Sequence, residues 1–166
     1  MKENYTAPSK TFVGHIHLKV SDLGRALEFY RDLLGFELTT MYGDQAAFLS
    51  AGGYHHHIGL NTWHSEGGPP APRNSAGLFH TAFLYPTRKD LAIILKRLID
   101  EGYPISGASD HGVSEAIYLN DPDGNGVELY RDRPKEEWEY TDEGSVKMVT
   151  EQLDIEGLLQ ELENEK

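Results

Sequence analysis

Three side chains suited to holding a divalent metal ion stand at matching places along the sequence: His15, His80 and Glu128. His15 opens HIHLKV (15–20), where Ile16, Leu18 and Val20 alternate with His15, His17 and Lys19. Such alternation predicts a strand with one buried face, so the histidines take the opposite face. FHTAFLY (79–85) repeats the pattern, with Thr81, Phe83 and Tyr85 on one face and His80 on the other. In GVELY (126–130), Val127 and Leu129 turn inward and Glu128 takes the far face. Two imidazoles and one carboxylate leave one face of an octahedral metal open; the set suits Fe(II), and also Mn(II) or another divalent metal. A lone histidine on a strand is as readily a solvated or hydrogen-bonded residue, and only the shared parity of the three favours ligation. The chain has no cysteine, which argues against a structural zinc site and a disulfide framework.

The elements that must position these residues come in two similar runs. After HIHLKV, Ser21 or Asp22 can cap a helix in which Leu23, Ala26, Leu27, Tyr30 and Leu34 keep helical spacing, with Gly35 as the stop. Strand candidates follow in FELTTMYG, QAAFLSA and HHHIGLNTW. After FHTAFLY, Thr87 and Asp90 resemble a capping box, and Leu91, Ile94, Leu95, Leu98 and Ile99 form an apolar stripe ended by Gly102. Strand candidates again follow, in PISGA, SEAIYLND and GVELYRD.

The predicted fold class is therefore α+β: two tandem βαβββ modules, 12–64 and 77–132, whose mixed sheets curl around one metal-binding cavity. Each module is too small to stand alone, so both belong to one domain, 10–133, with 65–76 as a Gly- and Pro-rich linker. Residues 134–166 form an acidic C-terminal extension. Its last stretch, LDIEGLLQELENEK, reads equally as an amphipathic helix packing on a partner subunit or as a frayed tail.

Composition narrows the partners. Of 166 residues, 39% are apolar and 25% charged, enough for a real core. The net charge is −12, and residues 132–166 carry twelve acidic against four basic side chains. A chain this acidic repels phosphate backbones, so nucleic acid is not an expected partner. No apolar run approaches the roughly 18 residues of a membrane span. The start lacks the apolar core of a signal peptide, which makes a cytoplasmic location the default expectation.

HIHLKVSDLGRALEFYRDLLGFEL and YLNDPDGNGVELY resemble the vicinal oxygen chelate superfamily, which includes glyoxalases, bleomycin-resistance proteins and extradiol dioxygenases. The resemblance covers residues 12–132. It implies that His15, His80 and Glu128 occupy the family's metal positions and that the DPDGN turn delivers the strand carrying Glu128. Glyoxalase I members usually add a Glu or Gln ligand from the last strand of the first half, and YHHHIGLNTW has neither. Fosfomycin-modifying members use several cations, at odds with this acidic chain. Extradiol ring-cleaving members place an acid-base histidine on that strand, matched by His56 on the family pattern, while alternation with Ile58 and Leu60 favours His57. They also have a His before the last hairpin and a Tyr on its first strand, matched by His111 and Tyr118.

The resemblance thus implies a catechol 2,3-dioxygenase-like enzyme, with Fe(II), a small aromatic diol and O2, and a role in aromatic catabolism. A homodimer or higher homo-oligomer is expected, since many such enzymes hold two copies of the duplicated domain and this chain has one. His17 is read as a neighbour of the metal ligands or a surface residue, Asn61 as lining a pocket mouth, and Trp63 as core packing. Two alternatives stay open. One is a glyoxalase-type lyase or isomerase on the same site; the other is a non-catalytic small-molecule binder of the antibiotic-resistance kind.

Overall fold

In the computed structural model, which describes residues 5–163, the two runs become two four-stranded motifs. The first holds β1 (Ile16–Lys19), helix α1 (Leu23–Leu27), β2 (Glu37–Tyr42), β3 (Ala46–Ser50) and β4 (Ile58–Asn61). The second holds β5 (Thr81–Leu84), α2 (Arg88–Asp100), β6 (Ile105–Asp110), β7 (Ser114–Asn120) and β8 (Gly126–Asp132). Strand order is β1-β4-β3-β2 in one sheet and β5-β8-β7-β6 in the other. In each, the first strand runs parallel to the last and lies at the sheet edge. The expected wrapping around one cavity therefore takes the form of two open sheets, with no backbone ladder joining them among the described strands. No helix among the described residues is long and apolar enough to cross a membrane.

The predicted parity matches the burial. Leu18, Val20, Val127 and Leu129 are buried on the helix side, while His15, His17 and Lys19 are exposed. Leu91, Leu95 and Leu98 of α2 are fully buried in the core that both modules share. The caps hold as expected: Asp22 accepts from the Arg25 N–H, and Thr87 from the Asp90 N–H. The first helix differs from its pattern, because α1 runs on as a π-helical segment, Glu28–Leu33. The wider turn buries adjacent aromatic rings, Phe29 and Tyr30, which a straight α-helix would fan apart.

The DPDGN turn does more than reverse the chain. The Asp121 carboxylate accepts from the backbone N–H of Asp123 and of Asn125, at 2.9 and 2.8 Å, and from the Asn125 amide. Gly124 takes φ +83°, a conformation costly for side-chain-bearing residues. The turn also reaches into the first module, where the buried Tyr30 hydroxyl donates to Asp121 at 3.0 Å. Burial, then the Asp121 charge, push the Tyr30 pKa up, so it remains a donor. Asp123 accepts from the Ser21 N–H at 3.0 Å and pairs with Arg25 at 2.7 Å. Tyr30→Phe should cost about 1–2 kcal/mol. Thermal denaturation should show a melting temperature lower by roughly 2–8 °C.

The C-terminal extension belongs to the second sheet. β9 (Glu151–Gln152) pairs antiparallel with β6, Ser109 facing Gln152 and Asp110 facing Glu151. Helix α3 (Ile155–Gln160) comes next and packs on α2 of its own chain, with Leu153 and Leu158 buried. Over this stretch the extension is therefore folded against its own chain; residues 164–166 lie outside the described residues. Arg88 holds the helix in place, bonding the Gly157 carbonyl at 3.0 Å and Glu161 at 2.8 Å.

Candidate active site

β8 lies between β5 and β7, so its residues meet neighbours on both sides. The register sets Glu128 opposite Ala82 of β5 and Tyr118 of β7. His80 stands two residues before Ala82 and shares its side of the pleat. Gly126 lets the chain ahead of β5 lie close: a Cβ there would strike the Phe79 carbonyl and press on His80 at 3.1 Å. The result is a line of polar contacts across the sheet face. His80 Nε2 is 2.9 Å from Glu128 Oε2. Tyr118 Oη is 3.1 Å from Glu128 Oε1, and His111 Nε2 is 2.6 Å from Tyr118 Oη. Burial, then the Glu128 charge and hydrogen bond, push the Tyr118 hydroxyl up to about 12, so it stays protonated.

His15 and the histidine run form a second group on the other sheet. The expected strand HHHIGLNTW begins only at Ile58, so His55, His56 and His57 lie in irregular chain before it. The His57 backbone still bonds Leu49 and Ile16 on either side, while His55 and His56 precede that pairing. His57 Nδ1 faces the end of β3, 3.2 Å from Ser50 Oγ and 3.3 Å from the Ala51 nitrogen. His56 is the one set against His15, their ring centroids 4.5 Å apart. Desolvation, then the neighbouring His15, hold the His56 pKa below its ordinary value, which favours a neutral ring. His17 packs between Phe48 and Trp63, each 5.7 Å away. Trp63 is 46% exposed, against the expected core position, because it lies beyond the end of β4 where no helix covers it. Asn61 is buried and accepts from the Trp63 N–H.

The structure thus brings His80, Glu128, Tyr118 and His111 together and leaves His15 apart with His56. His15 is exposed, and among the described residues no group of three or more His, Cys, Asp or Glu is placed to hold a metal ion. The donors are of the right kind for a hard divalent ion. The 2.9 Å between His80 and Glu128 is also close to the roughly 3.0 Å between adjacent octahedral ligands bound at about 2.1 Å. His15 hangs from a different sheet, and no ladder fixes its distance from that pair.

Sequence comparison fixes the class. A family model described as the glyoxalase/bleomycin resistance protein/dioxygenase superfamily matches residues 12–129, and the chain belongs to that superfamily. It is 44% identical to a catechol-2,3-dioxygenase of Bacillus subtilis over 160 residues, 94% of this chain and 54% of that protein. It is 34% identical to a biphenyl-2,3-diol 1,2-dioxygenase of Rhodococcus globerulus, over 77% of this chain and 68% of that one. The chain therefore spans about half the length of the first of these relatives. A crystal structure of a lactoylglutathione lyase from Agrobacterium tumefaciens matches with TM-score 0.57 and 24% identity, over 76% of this chain and 96% of that one, which shows the shared fold.

Proposed function

We propose that the protein is a metal-dependent extradiol-type ring-cleaving dioxygenase acting on a small catechol-like diol with O2. The observation that carries this is the unbroken line His80–Glu128–Tyr118–His111 on the sheet face turned away from the helices. The two named dioxygenase relatives support it. His80 and Glu128 would hold the divalent ion, Fe(II) by preference, and His15, which stands on the other sheet, would have to close on that pair to complete the set. A divalent ion held there would supply the Lewis acidity that lowers the pKa of the diol hydroxyls and would help to position the reactants. His56, with its lowered pKa, is free to accept one diol proton and later return it. Tyr118 keeps its proton, and its contact with His111 sets the direction of that hydroxyl. β4 reads Ile-Gly-Leu-Asn and supplies no Glu or Gln, so nothing on that strand adds the acidic ligand a glyoxalase-type site would use.

The test is anaerobic loading with Fe(II), then catechol and air. A yellow ring-opened product is expected, formed by cleavage beside one hydroxylated carbon. If catechol and its 3- and 4-substituted forms all stay intact with iron-loaded protein, the dioxygenase reading is wrong.

A further inference from the structure

We infer that the C-terminal arm, residues 147–153, is a working part of this site: its Val149 carbonyl fixes the tautomer of His111 and, through it, the direction of the Tyr118 hydroxyl. The inference rests on the proposed roles of His111 and Tyr118 in diol cleavage. The arm lies beyond the residues 12–129 that the superfamily model matches, within the longer stretch aligned with the Bacillus subtilis relative.

Proton counting sets the tautomer. The Val149 carbonyl oxygen lies 2.7 Å from His111 Nδ1 and can only accept, so Nδ1 carries a hydrogen. In a neutral ring Nε2 is then the acceptor, and it lies 2.6 Å from the Tyr118 oxygen. Tyr118 has one proton and two acceptors within reach: His111 Nε2, and Glu128 Oε1 at 3.1 Å. With Nε2 bare, the shorter contact competes for that proton against the hydrogen bond that Tyr118 donates to Glu128 Oε1. With the arm removed, the other tautomer becomes available. Nε2–H would donate to the Tyr118 oxygen and Tyr118 would donate to Glu128. The arm therefore decides whether Nε2 competes for the Tyr118 proton or leaves it to the carboxylate.

The arm is built to hold that carbonyl in place. The Val149 N–H donates to the His111 carbonyl at 3.1 Å, so the two residues clasp each other through backbone and side chain. The His111 N–H donates to the Ser114 carbonyl at 2.8 Å, which fixes the loop on its own strand. β9 extends the contact into the sheet, and Leu153 and Leu158, 2% and 0% exposed, anchor the end of the arm and helix α3 in the core. Glu139 pairs with Lys147 at 2.7 Å at the start of the arm.

The direct test is the imidazole nitrogen spectrum of the full-length, 15N-labelled protein near neutral pH, with the His111 signals assigned by their loss in His111→Asn. A protonated Nδ1 and a bare Nε2 are expected. A bare Nδ1 with a protonated Nε2 in the wild type overturns the inference, whatever the activity assay gives. The second measurement detaches the arm. Leu153→Ser with Leu158→Ser removes its anchors; Leu153→Ala alone, a milder loss of the same anchor, serves if the double variant does not fold. In the folded variant the His111 tautomer should become mixed. Its kcat for diol cleavage should fall about tenfold while KM stays within about twofold, the range seen when a ligand's hydrogen-bond partner is lost. An unchanged His111 spectrum in a folded, arm-detached variant also overturns the inference.

Discussion

Replacing His80 by alanine should lower ring cleavage by at least ~1,000-fold, about 4 kcal/mol of transition-state stabilisation, and deplete the protein of divalent metal. The ground is geometric and energetic together. His80 is the side chain that meets Glu128 Oε2, at 2.9 Å. Its other nitrogen, Nδ1, is buried with no hydrogen-bond partner among the described residues, which costs stability, typically about 1–3 kcal/mol. The melting temperature of His80→Ala should therefore hardly fall even as metal content, measured on purified protein, drops. Tyr118→Phe should be milder, about 10- to 100-fold in rate, since it touches the carboxylate and not the proposed metal. Full metal occupancy in His80→Ala would remove His80 from the ligand set.

The largest expected effect on stability lies at Glu115, a residue with no part in the chemistry. It is 3% exposed, and its carboxylate meets Arg88 at 2.9 Å, Arg131 at 2.7 Å and Arg133 at 3.7 Å. Arg88 carries the link on to α3, and Arg133 also pairs with Asp110 beside the His111 loop. Removing the carboxylate leaves cations facing one another in a half-buried place. The cost of breaking a buried pair runs to 3–5 kcal/mol; the low end, about 3, applies because the arginines keep some solvent.

Thermal melting of Glu115→Ala should fall by roughly 10 °C. Acid should act on the same group. Burial pushes the Glu115 carboxyl up, but the hydrogen bonds and charges of Arg88 and Arg131 outweigh it, and the net pKa is below the ordinary value. A lowered folded pKa means that the stabilisation is complete above the unfolded value of about 4.3 and is lost as the pH falls through the folded one. The wild type should lose stability steeply below about pH 4, and Glu115→Gln should show a flatter acid limb in denaturant titrations.

Strand parity was readable because water imposes it. Ile16, Leu18 and Val20 had to face the core, which left His15 and His17 no other side, and the same reasoning put Glu128 beyond Val127 and Leu129. Helix caps at Asp22 and Thr87 were equally local. What the sequence concealed was long-range. HHHIGL looks like one strand, yet backbone pairing with β1 and β3 reaches back only to His57, so His55 and His56 answer to loop packing and not to alternation. Trp63 looked like core because of its size, although its place past the strand end decides its exposure. The pairing of Glu115 with Arg88 and Arg131, and of His111 with Val149, joins residues up to 38 positions apart, with no periodic signal between them. Asp121 and Asp123 read as turn formers, a role that explains their type but not the Tyr30, Ser21 and Arg25 that meet them.

That last cluster limits how the two halves can be recombined. The hairpin that presents Glu128 is seated by side chains from the other repeat. A chimera made by cutting in the 65–76 segment would therefore inherit a mismatched joint unless positions 21, 25 and 30 travel together with 121 and 123. The halves are alike in layout, but this joint makes them unequal partners: the first serves as the template against which the final strand of the second is set.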